Sequence, residues 1–183
     1  MYSLSRPFRF AAVAIAAFAL TGCASMRVSS YLERESNFPR YRTYNWAPPE
    51  ALETGDPRLD NNPFFHERIQ ADVEKQLAAR GFEKTTSGEP DLRIHYRASV
   101  RQRVDVDGVD PEYRYCKNED GCQPYVYDAG TLLIDLVDAR TDKLVWRGWA
   151  EDSVDGVIDN QQSLEQKIDK AVTRILQRLP GRL

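Results

Sequence analysis

Between Leu92 and Val106 the apolar side chains fall on even positions, at Leu92, Ile94, Tyr96, Ala98, Val100, Val104 and Val106. The odd positions hold Arg93, His95, Arg97, Arg101 and Arg103. Strand side chains alternate between the two faces of a sheet, so this pattern describes a long strand with one apolar and one basic face. A chain built around it must cover one face with a core and can leave the other open to solvent.

Two stretches have the period needed to supply that cover. In the first, Phe65, Ile69, Val73 and Leu77 recur every four residues behind the N-cap candidate Asn62 and Pro63 at the first helical position; Gly81 stops the helix. The second opens with Ser163-x-x-Gln166, a capping-box pattern. It continues with Leu164, Ile168, Ala171, Val172, Ile175 and Leu179 on one stripe until Pro180.

Shorter alternating runs predict further strands over Met26 to Glu33 and Tyr41 to Ala47, the latter closed by Pro48-Pro49. Two more, Tyr125 to Val137 and Lys143 to Val154, are joined by the tight link Asp138 to Asp142 and read as a hairpin. Pairing Val137 with Lys143 places Leu136 opposite Leu144 and Ile134 opposite Trp146. A helix between two strands implies a right-handed crossover and a parallel pair, whereas the hairpin adds antiparallel neighbours. The expected fold is a two-layer α+β sandwich: a mixed, mostly antiparallel sheet of about five strands with two amphipathic helices on one face.

The N-terminus reads differently. Arg6 and Arg9 precede the apolar run Phe10 to Leu20, which is too short to span a bilayer and matches the charged and apolar regions of a secretory signal. The run ends in Leu20-Thr21-Gly22-Cys23, which resembles the lipobox of bacterial lipoproteins. That resemblance implies a signal peptide over residues 1–22, lipidation of Cys23, a short tether over 23–27 and one domain over 28–183. Ala24, where an inner-membrane protein would carry Asp, resembles sorting to the outer membrane, with the domain facing the periplasm.

Arg6 and Arg9 are the leader's only charges, so the mature chain keeps 23 of the 25 basic residues against all 28 acidic ones and carries −5. Nucleic acid is therefore not an expected partner. The two cysteines left after Cys23, Cys116 and Cys122, form an even pair in an exported chain and are expected to be disulfide-bonded. Their spacing fits neither a thioredoxin-like pair nor, without neighbouring His or Cys, a metal site.

Several segments together resemble one family. They are Tyr41-Arg42-Thr43-Tyr44-Asn45-Trp46, the helix end Leu77-x-x-Arg80-Gly81-Phe82, Pro90-Asp91-Leu92, Gly130 to Asp138, Leu144-Val145-Trp146-Arg147-Gly148 and the final amphipathic helix. They resemble the bacterial lipoproteins grouped as domain of unknown function 4136. The resemblance supports the fold and the location, and it carries no activity, cofactor or catalytic residue.

Three long connections, 47–61, 107–124 and 154–161, follow strands that point the same way, and they hold eleven acidic against three basic residues. Loops gathered at one end of a sheet are a common place for a binding site. The basic face of Arg93, His95, Arg97, Arg101 and Arg103 is a second candidate, suited to an envelope protein, a glycan or a lipid headgroup. Arginines on such a face also pair across strands, here with Asp135 or Glu151.

No nucleophile elbow, P-loop or dinucleotide fingerprint is present. Asp105-x-Asp107-Gly108-x-Asp110 lacks the glycine position and closing Glu of a calcium loop, and His66 and His95 read as unrelated surface residues. No metal and no cofactor are expected. The reading is a non-enzymatic, membrane-anchored binding or adaptor protein. The alternative is a small envelope hydrolase or ligand carrier with its site in the three connections.

Overall fold

The structure is a computed structural model and describes residues 26–48, 53–107 and 123–181. Cys23, Cys116 and Cys122 lie outside these residues. So do Gly108 and Asp110 of the acidic run.

The described chain runs β1 (Arg27–Leu32), a 3₁₀ turn (Phe38–Arg40), β2 (Thr43–Trp46), α1 (Pro57–Asp60), α2 (Pro63–Ala78) and β3 (Glu83–Lys84). It continues with β4 (Leu92–Asp107), β5 (Gln123–Asp138), β6 (Leu144–Ser153) and α3 (Gln161–Leu176). The sheet is mixed and open, with the order β1-β6-β5-β4-β2-β3. It has six strands rather than about five. The extra one is β3, two residues that pair in parallel with β2 directly after α2 and are too short to carry a periodic signal.

As the crossover argument requires, β2 runs parallel to β4, with α2 between them in sequence. β4, β5, β6 and β1 are joined antiparallel. Phe65, Ile69, Val73 and Leu77 of α2 are buried with Leu164, Ile168, Val172 and Ile175 of α3 and with Leu92, Ile94, Ile134, Leu136 and Trp146 of the sheet. Both long helices therefore lie on one face of the sheet. Each fully buried Leu, Ile or Val contributes about 1.5–3 kcal/mol, so this shared core is the main stabilising element of the fold.

Three local expectations are corrected. The β5–β6 register is interrupted by an irregularity at Leu136/Val137, so Val137 pairs with Leu144, Leu136 with Trp146 and Ile134 with Gly148. The same strand carries a second constraint at Trp146. A Cβ at position 148 would sit 2.3 Å from the Trp146 indole, so the residue beside it must be glycine. Secondly, α3 is capped by the Asn160 side chain accepting from Ser163 N at 2.9 Å, and Ser163 lies inside the helix. Thirdly, the 47–61 connection contains α1, whose N-cap Asp56 accepts from Arg58 N. The first-helix cap stands as expected, with the Asn62 side chain accepting from Phe65 N.

Candidate functional site

β4 has sixteen residues, but its neighbour β2 has only four. Pro48-Pro49 follows β2 in the sequence, and a residue without an N–H cannot continue a ladder. The last bond between the two strands runs from Ala47 N to Ile94 O, 3.0 Å. Six residues further along β4, Val100 N donates to Thr54 O at 2.7 Å, where the 47–61 connection returns to the sheet. Gly55 holds that return, with φ +86°, and a Cβ there would lie 3.0 Å from Val100 O.

The returning connection is firmly tied. Thr54 N donates to Asp60 at 2.6 Å, and Thr54 Oγ1 exchanges hydrogen bonds with the Asp56 main chain. Arg58 grips Asp56 through Nε and Nη2, and its Nη1 reaches both oxygens of Asp159 at 2.7 Å. On the β4–β5 arm, the Tyr125 hydroxyl donates to Asp155 at 3.1 Å. The 47–61 and 154–161 connections thus meet at one end of the sheet, and the described base of the third touches the same end.

Between the two points where β4 is held, a groove of about 800 Å³ opens. Its walls are Trp46 and Pro48 on one side, Glu53, Thr54 and Asp60 on another, and Phe65, His66 and Gln70 of α2 above. Its floor is Ile94, His95, Tyr96, Arg97 and Ala98 in unbroken succession. Side chains alternate along a strand, so five consecutive residues line one groove only if it runs along the main chain.

The aromatic wall is braced. Tyr96 Oη and His66 Nδ1 are hydrogen-bonded at 2.7 Å, and Trp46 meets the Tyr96 ring edge-on at 5.9 Å. Burial pushes the Tyr96 phenol up, so it stays protonated. The indole N–H of Trp46 donates to Glu74, which also accepts from Lys84. Burial alone would raise Glu74; the Lys84 and Trp46 bonds outweigh it and hold the carboxyl below its ordinary value. Such bracing fixes ring orientation before any ligand arrives.

His66 and His95, read from sequence as unrelated, both line this groove. His66 does so with its ring; His95 sits on the floor, its side chain on the alternate face of β4. Thr54 and Asp60 belong to the 47–61 connection that the sequence offers as a candidate site, whereas Gln70 is not indicated by the sequence. What brings Gln70 to the groove is the packing of α2 beside the short β2, and its position in the helix carries no signal of that in the sequence.

The arginine stripe lies on the face the helices leave open. It is not a free basic surface. Arg93 donates to Asp142 at 2.6 Å and to Ala139 O, and Arg103 donates to Glu151 at 2.6 Å. His95 and Arg97 are also engaged in interactions within the chain. Arg101 is exposed. Glu151 is the partner expected from sequence, but the buried Asp135 is held by Arg147 through two bonds of 2.6 Å instead. Among the described residues no group of three or more His, Cys, Asp or Glu is placed to hold a metal ion, and no helix is long and apolar enough to cross a membrane.

The open six-stranded sheet with its helices on one face defines a mixed α+β domain with a recessed strand edge. The chain belongs to the domain of unknown function DUF4136, whose family profile matches residues 28–181. No curated protein matches it. Among solved structures it is similar to a PDZ domain protein from Parabacteroides distasonis, with a TM-score of 0.54 and 12% identity over 85% of this chain; the match covers 36% of that protein. It is also similar to the PelC dodecamer from Paraburkholderia phytofirmans (TM-score 0.49, 12% identity, 87% of this chain and 100% of that one). A third likeness is to a DUF4136 family protein from Bacteroides thetaiotaomicron (0.44, 16% identity, 81% and 95%). At these identities the likenesses concern the fold alone.

Proposed function

We propose that this chain is a lipid-anchored, periplasm-facing envelope protein that binds a partner without catalysis, and that the groove along β4 is its binding site. The observation that carries the reading is a groove of about 800 Å³ with aromatic walls and a main-chain floor. That is the size and chemistry of a ligand site. The Leu20-Thr21-Gly22-Cys23 lipobox supports the anchor. The groove collects carboxylates, ring edges and amide groups, and the Tyr96 hydroxyl bonded to the His66 imidazole is half-buried and braces the aromatic wall, which supports recognition over turnover.

The groove is preferred to the arginine face because most charges on that face are engaged within the fold, and exposed ion pairs of this kind contribute about 0–1 kcal/mol each. In-cell photocrosslinking separates the two surfaces. A photoreactive residue at Gln70 is expected to yield an envelope adduct, and one at Arg101 none. Adducts from Arg101 alone would move the site to the open sheet face.

A further inference from the structure

The two edges of the sheet are unequal. One ends in β3, two residues long, and an edge so short gives another strand little to hold. The other ends in β1, which has no proline and no charge between Arg27 and Leu32, the usual devices that blunt an edge. Glu33 N donates to Val145 O at 2.9 Å, so Glu33, and with it Tyr31, Ser29 and Arg27, turns its main chain toward β6. The even residues Val28, Ser30 and Leu32 turn their N–H and C=O groups outward, where no described strand meets them. Past Leu32 the chain leaves that side: Ser36 N donates to Glu33 O at 3.1 Å, and the next strand, β2, lies in the opposite half of the sheet.

We propose that β1 pairs antiparallel with β1 of a second copy of this chain, joining two sheets into one across a two-fold axis at Ser30. This surface lies at the other edge of the sheet from the groove, so the proposal goes beyond the reading above. What commits the edge to a copy of itself is its own order of residues. With Ser30 facing Ser30 of the second copy, the main chain of Val28 meets that of Leu32, and each outward pair exchanges two hydrogen bonds. The same register sets Arg27 opposite Glu33 of the second copy, and symmetry repeats the contact. Arg27 is available for it: its side chain is 80% exposed and reaches Glu151 only at 4.0 Å. Glu33 accepts from the Tyr31 hydroxyl and keeps lone pairs for a further donor.

The side chains fit the same register. Val28, Ser30 and Leu32 share the face of Trp146 and Ala150, where Ser30 is exposed and Leu32 is 39% exposed. Pairing sets Leu32 against Val28 of the second copy, and this apolar contact covers both. On the open face Tyr31, 46% exposed, comes beside Ser29 of the second copy. A register displaced by two residues keeps the hydrogen-bond directions but sets Arg27 opposite Tyr31, or Glu33 opposite Ser29, and loses the ion pairs.

The test co-expresses two differently tagged full chains, extracts them in detergent and purifies through one tag. Wild-type chains are expected to co-purify. Arg27→Glu in both chains, or Glu33→Arg in both, should lower recovery of the second chain at least about tenfold, because like charges then face each other twice. Arg27→Glu in one chain with Glu33→Arg in the other restores opposite charges at both contacts, and recovery should return to within about threefold of wild type. Ser30→Pro supplies a variant without a charge change. It removes an outward N–H that no described residue uses, so the far-UV spectrum should stay as in wild type while the second chain is lost. The charge exchange does not depend on that variant folding.

Wild-type chains that do not co-purify, single reversals that leave recovery unchanged, or complementary reversals that stay apart would each overturn the proposal. So would equal recovery in every combination, the result that shared micelles or another interface would give. The groove is tested at Gln70 and Arg101, so the two readings stand or fall separately.

Discussion

Asp138 shows how one buried carboxylate can fix several elements. It accepts from the Tyr41 hydroxyl at 2.8 Å, from Arg40 at 2.7 Å and from the backbone N–H groups of Arg140 and Thr141. Burial alone would raise it, but these donors outweigh burial and bring it from 3.8 to about 2. A carboxylate depressed in the folded state stabilises fully above its unfolded value. That contribution, about 2 kcal/mol, is lost as pH falls through the folded value. Asp138→Asn should therefore lower denaturation stability at pH 7 by about 2 kcal/mol and flatten the stability profile between pH ~4 and ~2. An unchanged acid limb would contradict the assignment. Gly148 is a steric residue of the same weight: Gly148→Ala drives a methyl into Trp146 and Ile175, and a loss of about 1–3 kcal/mol is expected in urea titrations.

Among the elements, the long ones are legible from their periods, β1 and β2 from shorter alternating runs, and β3 and α1 not at all. The alternation from Leu92 and the four-residue stripe from Phe65 named β4, α2 and their buried faces, because burial imposes the period on the sequence. β3 escaped because two residues cannot display a period, and α1 because a single helical turn inside a Pro- and Asp-bearing connection shows no apolar stripe. The α3 cap was misplaced by three residues, since Asn160 and Ser163 are both good cap residues and the boundary depends on backbone geometry. The two assignments differ in a measurable way. Asn160→Ala should cost about 1 kcal/mol in thermal or chemical unfolding, and Ser163→Ala less than about 0.5. The reverse order would restore the capping box. The hairpin register departs from the expected one because Val137 pairs with Leu144 and an irregularity at Leu136/Val137 shifts the residues beyond it, and a regular alternation does not announce such an irregularity.

For the whole molecule, the direction of the strands was deduced from sequence and with it the end at which the 47–61 and 154–161 connections meet. The groove itself was not, because it arises from where one strand stops beside another that continues. The proposed anchor belongs to the same scale. Several acyl chains hold a protein stably where one is marginal, so Cys23→Ser should shift the chain from the membrane to the soluble fraction, or leave it uncleaved with its leader. Normal, cleaved and membrane-bound protein in that variant would contradict the anchored reading.

Among the described residues no strand pairs with β4 between Ile94 and Val100 on the side of the groove. Hydrogen exchange on the free full chain tests it residue by residue. The amides of Ile94 and Val100, which face β2 and Thr54, should be protected, while those of Tyr96 and Ala98, between them on the same side, should exchange far faster. Equal protection at all four would mean that the edge is already paired, and the groove would lose its main-chain floor.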